Sequence, residues 1–188
     1  DAWVVKLNQN GIIEWQNCVG GTSSDLALSL VQTTDLGYIV AGTTRSNDGD
    51  VSGNHGNNDA WVFKLSQTGT LVWQKCYGGS DQEYAASIDF STSGGYIFAG
   101  YATSYNGDVS GLRGDRDFWV VSIDPSGNIE WQKCLGGTGP EEAKSITKTD
   151  AGHYYVSGYT YSNNGDVSGN HGDADMWVLE LDPMGQLT

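Results

Sequence analysis

The residues of this chain with the greatest capacity for chemistry sit in three loops of nearly one sequence. Asp48 to Trp61 reads DGDVSGNHGNNDAW, Asn106 to Trp119 reads NGDVSGLRGDRDFW, and Asn164 to Trp177 reads NGDVSGNHGDADMW. A calcium loop of the EF-hand type places oxygen ligands at about positions 1, 3, 5, 7, 9 and 12, with glycine at 6 for the sharp turn. Counted in that way, the first loop offers Asp48, Asp50, Ser52 and Asp59, with Gly53 at the turn. The second offers Asn106, Asp108, Ser110 and Asp117, and the third Asn164, Asp166, Ser168 and Asp175. Two or three acidic ligands per loop predict calcium held at micromolar to millimolar affinity. Against this, the last ligand is Asp where the motif has a bidentate Glu, only the first loop begins with Asp, and no flanking helices are expected. The competing reading is that Asn, Asp and Gly satisfy their own backbone through side-chain turns, and that the Asp before each Trp caps a strand.

Other candidates are less constrained. His55 and His171 occupy equivalent loop positions, but Arg113 stands there in the second loop, so a zinc site would be missing from one unit; such loop histidines are usually solvated. Trp3, Trp61, Trp119 and Trp177, and Trp15, Trp73 and Trp131, recur at fixed positions, which favours packing between units over a sugar platform. Tyr105 and Tyr161, just before acidic loops and expected to be exposed, are the better candidates for stacking on a ligand. The Gly-Gly pairs at 20–21, 78–79 and 136–137 precede no helix and so are not phosphate loops. No HExxH, GxSxG or Cys-His arrangement occurs, and the Glu141-Glu142 pair needs no catalytic role. Cys18, Cys76 and Cys134 fall at one position per unit, too far apart in a repeat array for the Cα separation below about 7 Å that a disulfide needs. They are expected to be free thiols packed as small hydrophobes.

The elements that must position these groups follow from a period. Asp1, Asp59, Asp117 and Asp175 are spaced 58 residues apart, and the repeats run 1–58, 59–116 and 117–174, with a partial copy at 175–188. The formal net charge of −14 argues against nucleic acid and anionic membrane surfaces as partners, because both need a basic face. Cations or hydroxyl-rich surfaces suit it better. With 38% hydrophobic residues, 7 Trp and 10 Tyr, the acidity does not signal disorder. No apolar run approaches the roughly 20 residues that would span a bilayer. The first residue already lies inside a repeat, so an export signal would lie upstream.

Within a unit, four strands are predicted: Tyr84–Ser91, Tyr96–Thr103, Asp117–Ile123 and Asn128–Leu135, with a DPSG hairpin between the last two. The second and third are apolar on both faces; in the equivalent third strand, Trp61, Phe63 and Leu65 point one way while Ala60 and Val62 point the other. The fourth alternates with polar residues, as an outer strand should. No sustained period of 3.6 residues predicts helix. The expected fold is all-β, a β-propeller-type array of four-stranded antiparallel blades with a 58-residue repeat; a β-solenoid is the runner-up. By strand order the blades are 1–20 (partial), 25–77, 84–135 and 142–188 (partial).

The pattern of D-x-W-V-x-K-L, x-G-x-I-x-W-Q-K-C-x-G-G, S-I and G-Y-I-x-A-G-Y-T resembles the secreted seven-bladed-propeller-type repeats of Bacteroidota surface proteins, along the whole chain. Asn17 replaces Lys in the first outer strand, and Leu112-Arg113 replaces Asn-His in the second loop. The resemblance implies a secreted or cell-surface protein with the Ser-Ile strand nearest the axis and the Trp-Gln-Lys strand outermost. Closing a ring with the chain's own ends would leave one strand, Asp175 to Leu181, in excess. The chain is therefore expected to be a segment of one propeller, completed by neighbouring blades of the same or another chain. Two functions fit: a non-catalytic surface adhesin or scaffold, stiffened by calcium if the loops bind it, and a glycan-binding lectin-like propeller; the expected partner is a cell-surface or extracellular glycan or protein. An enzyme comes third, since near-identical repeats dilute where catalysis needs one asymmetric site.

Overall fold

The computed structural model describes residues 1–188, and all 13 of its regular elements are β-strands. They are β1 (Ala2–Leu7), β2 (Ile13–Val19), β3 (Asp25–Gln32), β4 (Tyr38–Thr44), β5 (Asp59–Leu65), β6 (Leu71–Tyr77), β7 (Glu83–Phe90), β8 (Tyr96–Ala102), β9 (Asp117–Ile123), β10 (Ile129–Leu135), β11 (Glu141–Lys148), β12 (Tyr154–Thr160) and β13 (Asp175–Leu181). They form four antiparallel meanders in chain order: β1-β2, β3-β4-β5-β6, β7-β8-β9-β10 and β11-β12-β13. The predicted third strand matches its observed bounds; the first begins one residue earlier than expected and the fourth one later. No strand of the first sheet pairs with one of the last, so the array is open.

Sheet stacking follows from the two apolar faces of the third strands. On β5, Ala60 and Val62 join the cluster of Ala85, Ile88, Phe98, Trp119 and Val121 in the next sheet. The opposite face of β5, with Trp61, Phe63 and Leu65, packs on Ala2, Val4 and Val19 of the sheet before. The third sheet repeats the pattern, Phe118 and Val120 facing Val156, Leu179 and Leu181. Each sheet thus presents a tryptophan-bearing face to its predecessor and a smaller apolar face to its successor. The expectation that the Trp-led strands are buried holds for Trp61 and Trp119 and fails for Trp3, which is 62% exposed because no sheet covers that face.

Polar links reinforce each junction. Ser29 Oγ accepts from the Ile88 amide at 3.3 Å, and Ser87 Oγ accepts from the Ile146 amide at 3.2 Å, joining successive first strands. On the outer side, the Trp15 and Trp131 rings lie over Gly69 and Gly185 in the hairpin of the next sheet. These glycines have φ of +82° and +74°, and a side chain on either would strike the indole, so backbone conformation and packing both exclude other residues. Inside each complete sheet the ladder slips one residue in the first strand, between Ala27 and Ser29 and between Ala85 and Ser87. At that bulge Gly100 brings its backbone against the Tyr84 carbonyl, leaving no room for a Cβ.

Candidate functional site

The long loop after each second strand lies against the Gly-Gly loop that leaves the fourth strand of the preceding sheet. Its buried anchor is a valine, Val51, Val109 or Val167, each no more than 4% exposed. Around this anchor the predicted ligands turn toward backbone amides. Asp48 accepts from the Thr22 amide at 2.8 Å and the Thr22 hydroxyl at 2.8 Å. Asn106 and Asn164 accept from the amides of Ser80 and Thr138, each at 2.9 Å. Asp50, Asp108 and Asp166 accept from the amides of Gly20, Gly78 and Gly136 at 3.3, 3.1 and 3.2 Å. Their own amides donate back to the carbonyls of the same three glycines. The hydrogen bonds from Thr22 hold the Asp48 carboxyl below its ordinary value.

The serines have a different role. Ser52 and Ser110 accept from the side-chain amides of Gln74 and Gln132. Those glutamines in turn accept from Trp61 Nε1 at 3.0 Å and Trp119 Nε1 at 2.9 Å. Loop and outer strand are thereby tied to the core indole, while Ser168 stays at the surface. Asp59, Asp117 and Asp175 each accept from the amide four residues earlier, at His55, Arg113 and His171. The Nδ1 atoms of His55 and His171 lie 2.6 and 3.1 Å from Asp59 and Asp175; His171 is solvated as expected from sequence, with 89% of its side chain exposed, whereas His55 is partly covered. Arg113 reaches 2.6 Å to Asp166 of the following loop and donates to the Gly136 carbonyl.

Three deeper carboxylates complete the latch. Asp25, Glu83 and Glu141, which begin the first strands and recur at the repeat period, are at most 1% exposed. Each accepts from the second glycine amide at 2.8 Å (Gly21, Gly79, Gly137). Glu83 also accepts from the amides of Thr103 and Ser104, at 3.3 and 3.0 Å. Burial pushes the carboxyls of Asp59, Glu83 and Asp117 above their ordinary values. Asp59 and Glu83 approach each other across Gly78, and Asp59 Oδ1 is buried without a hydrogen-bond partner. Sequence reasoning passed over Asp25 and Glu83 and weighed Glu141 only as half of the Glu141-Glu142 pair; the recurrence of all three at the repeat interval was the available signal.

No group of three or more His, Cys, Asp or Glu side chains converges anywhere in the fold. The first and third carboxylate or amide oxygens of each loop accept from backbone amides of the Gly-Gly loop. Tyr105 and Tyr161 prove inequivalent: Tyr105, 70% exposed, donates to the Gly114 carbonyl at 2.8 Å, whereas Tyr161, 48% exposed, stands edge-on to Tyr159. All three cysteines are free, and only Cys18 is exposed. No helix is long and apolar enough to cross a membrane. No protein-family model matches the sequence, and no curated protein matches it. Fold and loops together define a class by architecture: an open stack of antiparallel β-meanders whose junctions are tied by acidic latches.

Proposed function

We propose that this chain is a stretch of a non-catalytic, extracellular β-propeller module that serves as a surface adhesin or scaffold. The observation that carries the reading is the repeated junction, in which each tryptophan face docks on the smaller apolar face of the preceding sheet. A junction that repeats from sheet to sheet propagates, and four-stranded antiparallel sheets stacked this way are the unit from which propellers are built. Further sheets of the same kind, from this chain or another, complete the ring. The net charge of −14 keeps such a module away from polyanions. Electron microscopy of the protein at its natural full length is expected to show closed discs with a central channel; a linear rod would overturn the reading. A lectin-like propeller is the second reading, favored by the exposed Tyr161 ring.

Calcium at the three loops is a separate proposal with its own test. Binding only to the folded state raises stability by about 2.7 kcal/mol at a hundredfold excess over Kd. Millimolar calcium should then raise Tm, chelator should reverse the rise, and replacing Asp50, Asp108 and Asp166 together by Ala should abolish it. An equal shift from sodium chloride at matched ionic strength assigns the loops to their latch role alone.

A further inference from the structure

Duplicated units begin alike, so places where they differ and yet converge in space merit scrutiny. Thr43 stands where the later units have Tyr101 and Tyr159, while Arg45, Thr103 and Tyr161 all differ, and likewise Asn58, Arg116 and Ala174. The junction between the third and fourth sheets gathers the most distinctive of these side chains. The Tyr84 and Tyr101 rings stack at 4.7 Å, and the Arg116 guanidinium lies 4.5 Å above Tyr101. Arg116 pairs with Glu142, which also takes Lys144 at 2.5 Å, and the Lys144 ammonium sits 5.3 Å over the Tyr159 ring. Tyr161 closes the row, 5.9 Å from Tyr159 at an interplanar angle of 86°. Its amide donates to the Pro140 carbonyl at 3.1 Å, fixing the loop that carries it.

Beside this row is a hollow of about 360 Å³ lined by Asp115, Arg116, Pro140, Tyr159 and Tyr161. That volume falls in the range of about 300–1,000 Å³ typical of ligand sites. Two aromatic rings and a proline offer apolar surface for the C–H face of a sugar ring. The Arg116 fork supplies several N–H donors, Asp115 supplies acceptor oxygens, and the tyrosine hydroxyls serve as either. Arg116 is held between Tyr101 and Glu142, so little side-chain freedom is lost when a ligand binds. Charge selects the ligand: Arg116 and Lys144 are offset by Glu142 and Asp115, so the hollow holds no excess charge to select an ion, and the protein's net charge of −14 repels anions. We infer that the hollow at Asp115, Arg116, Pro140, Tyr159 and Tyr161 binds a neutral pyranose residue of a glycan.

This inference rests on the lectin-like reading but not on ring closure. Saturation-transfer NMR on the wild-type protein tests it with methyl β-glucoside, methyl β-galactoside, N-acetylglucosamine and glucuronate at millimolar concentration. At least one neutral sugar is expected to receive transfer while glucuronate does not. Tyr161→Ala should weaken binding at least about tenfold, and Tyr155→Ala, exposed on β12 and outside the hollow, should leave it unchanged. Asp115→Ala, at an exposed loop position, should also weaken it and serves if Tyr161→Ala does not fold. Absence of transfer to all three neutral sugars would overturn the assignment. So would transfer undiminished in Tyr161→Ala and Asp115→Ala, or glucuronate binding as well as the neutral probes.

Discussion

Glu83→Ala is expected to lower Tm by about 10 °C, equivalent to about 3 kcal/mol in a chain of this size. Glu83 is fully buried, and its two oxygens accept from the amides of Gly79, Thr103 and Ser104. Truncation leaves those donors in a site that water does not reach, and an unsatisfied buried donor costs about 1–3 kcal/mol. The same residue gives stability a pH dependence. Burial raises the folded-state values of Glu83, Asp59 and Asp117, so their contribution is fully present below the ordinary carboxyl value and is lost as pH rises through the raised values. Asp48, Asp124 and Asp175 run the other way, because hydrogen bonds from Thr22, Asn128 and His171 lower their values. Their contribution is lost only as pH falls below the ordinary range. Stability should therefore rise as pH falls from 7 toward about 5, and Glu83→Ala should flatten part of that rise. Thermal melts across this window check both statements; a wild-type Tm that increases with pH from 5 to 7 would refute them.

The chemistry of these latches was harder to read from the sequence than the sheets that carry them. Strand order emerged from the repeat and from the apolar faces of segments such as Ala60 to Leu65, since a strand covered on both sides leaves a local signature. The loops offered their residues with an ambiguous purpose. Short Asx side chains two apart in a glycine turn suit a chelate, and they suit equally a backbone latch. The choice depends on partners such as Thr22 for Asp48 and Gly20 for Asp50, which lie 26 and 30 residues away. No local spacing encodes those contacts. Asp25 escaped notice for a related reason: it opens a strand as Asp where Glu83 and Glu141 open theirs as Glu, and only the fold brings all three under Gly-Gly loops. Tyr161 was singled out for its expected exposure, but Arg116 and Asp115 beside it were invisible until the sheets stacked.

The second large effect is expected at Trp119. Its side chain is fully buried, lies 5.7 Å from Phe98 in an edge-on arrangement, and donates to Gln132 at 2.9 Å. Trp119→Ala removes a large apolar surface, opens a cavity between two sheets and releases the Gln132 tie to Ser110. Such truncations cost about 3–5 kcal/mol, since packed neighbors collapse only partly into the space. Trp3 occupies the equivalent repeat position and makes the equivalent bond, from Nε1 to Gln16 at 3.3 Å, yet it is 62% exposed. Trp3→Ala should therefore cost no more than about 0.5 kcal/mol. The same substitution at the same repeat position thus isolates the contribution of the neighboring sheet. Urea unfolding of both variants measures it: a large loss at Trp119 with a small one at Trp3 places the stability in the junctions between sheets. Equal losses would place it within each sheet and would remove the repeated junction as support for a propagating stack.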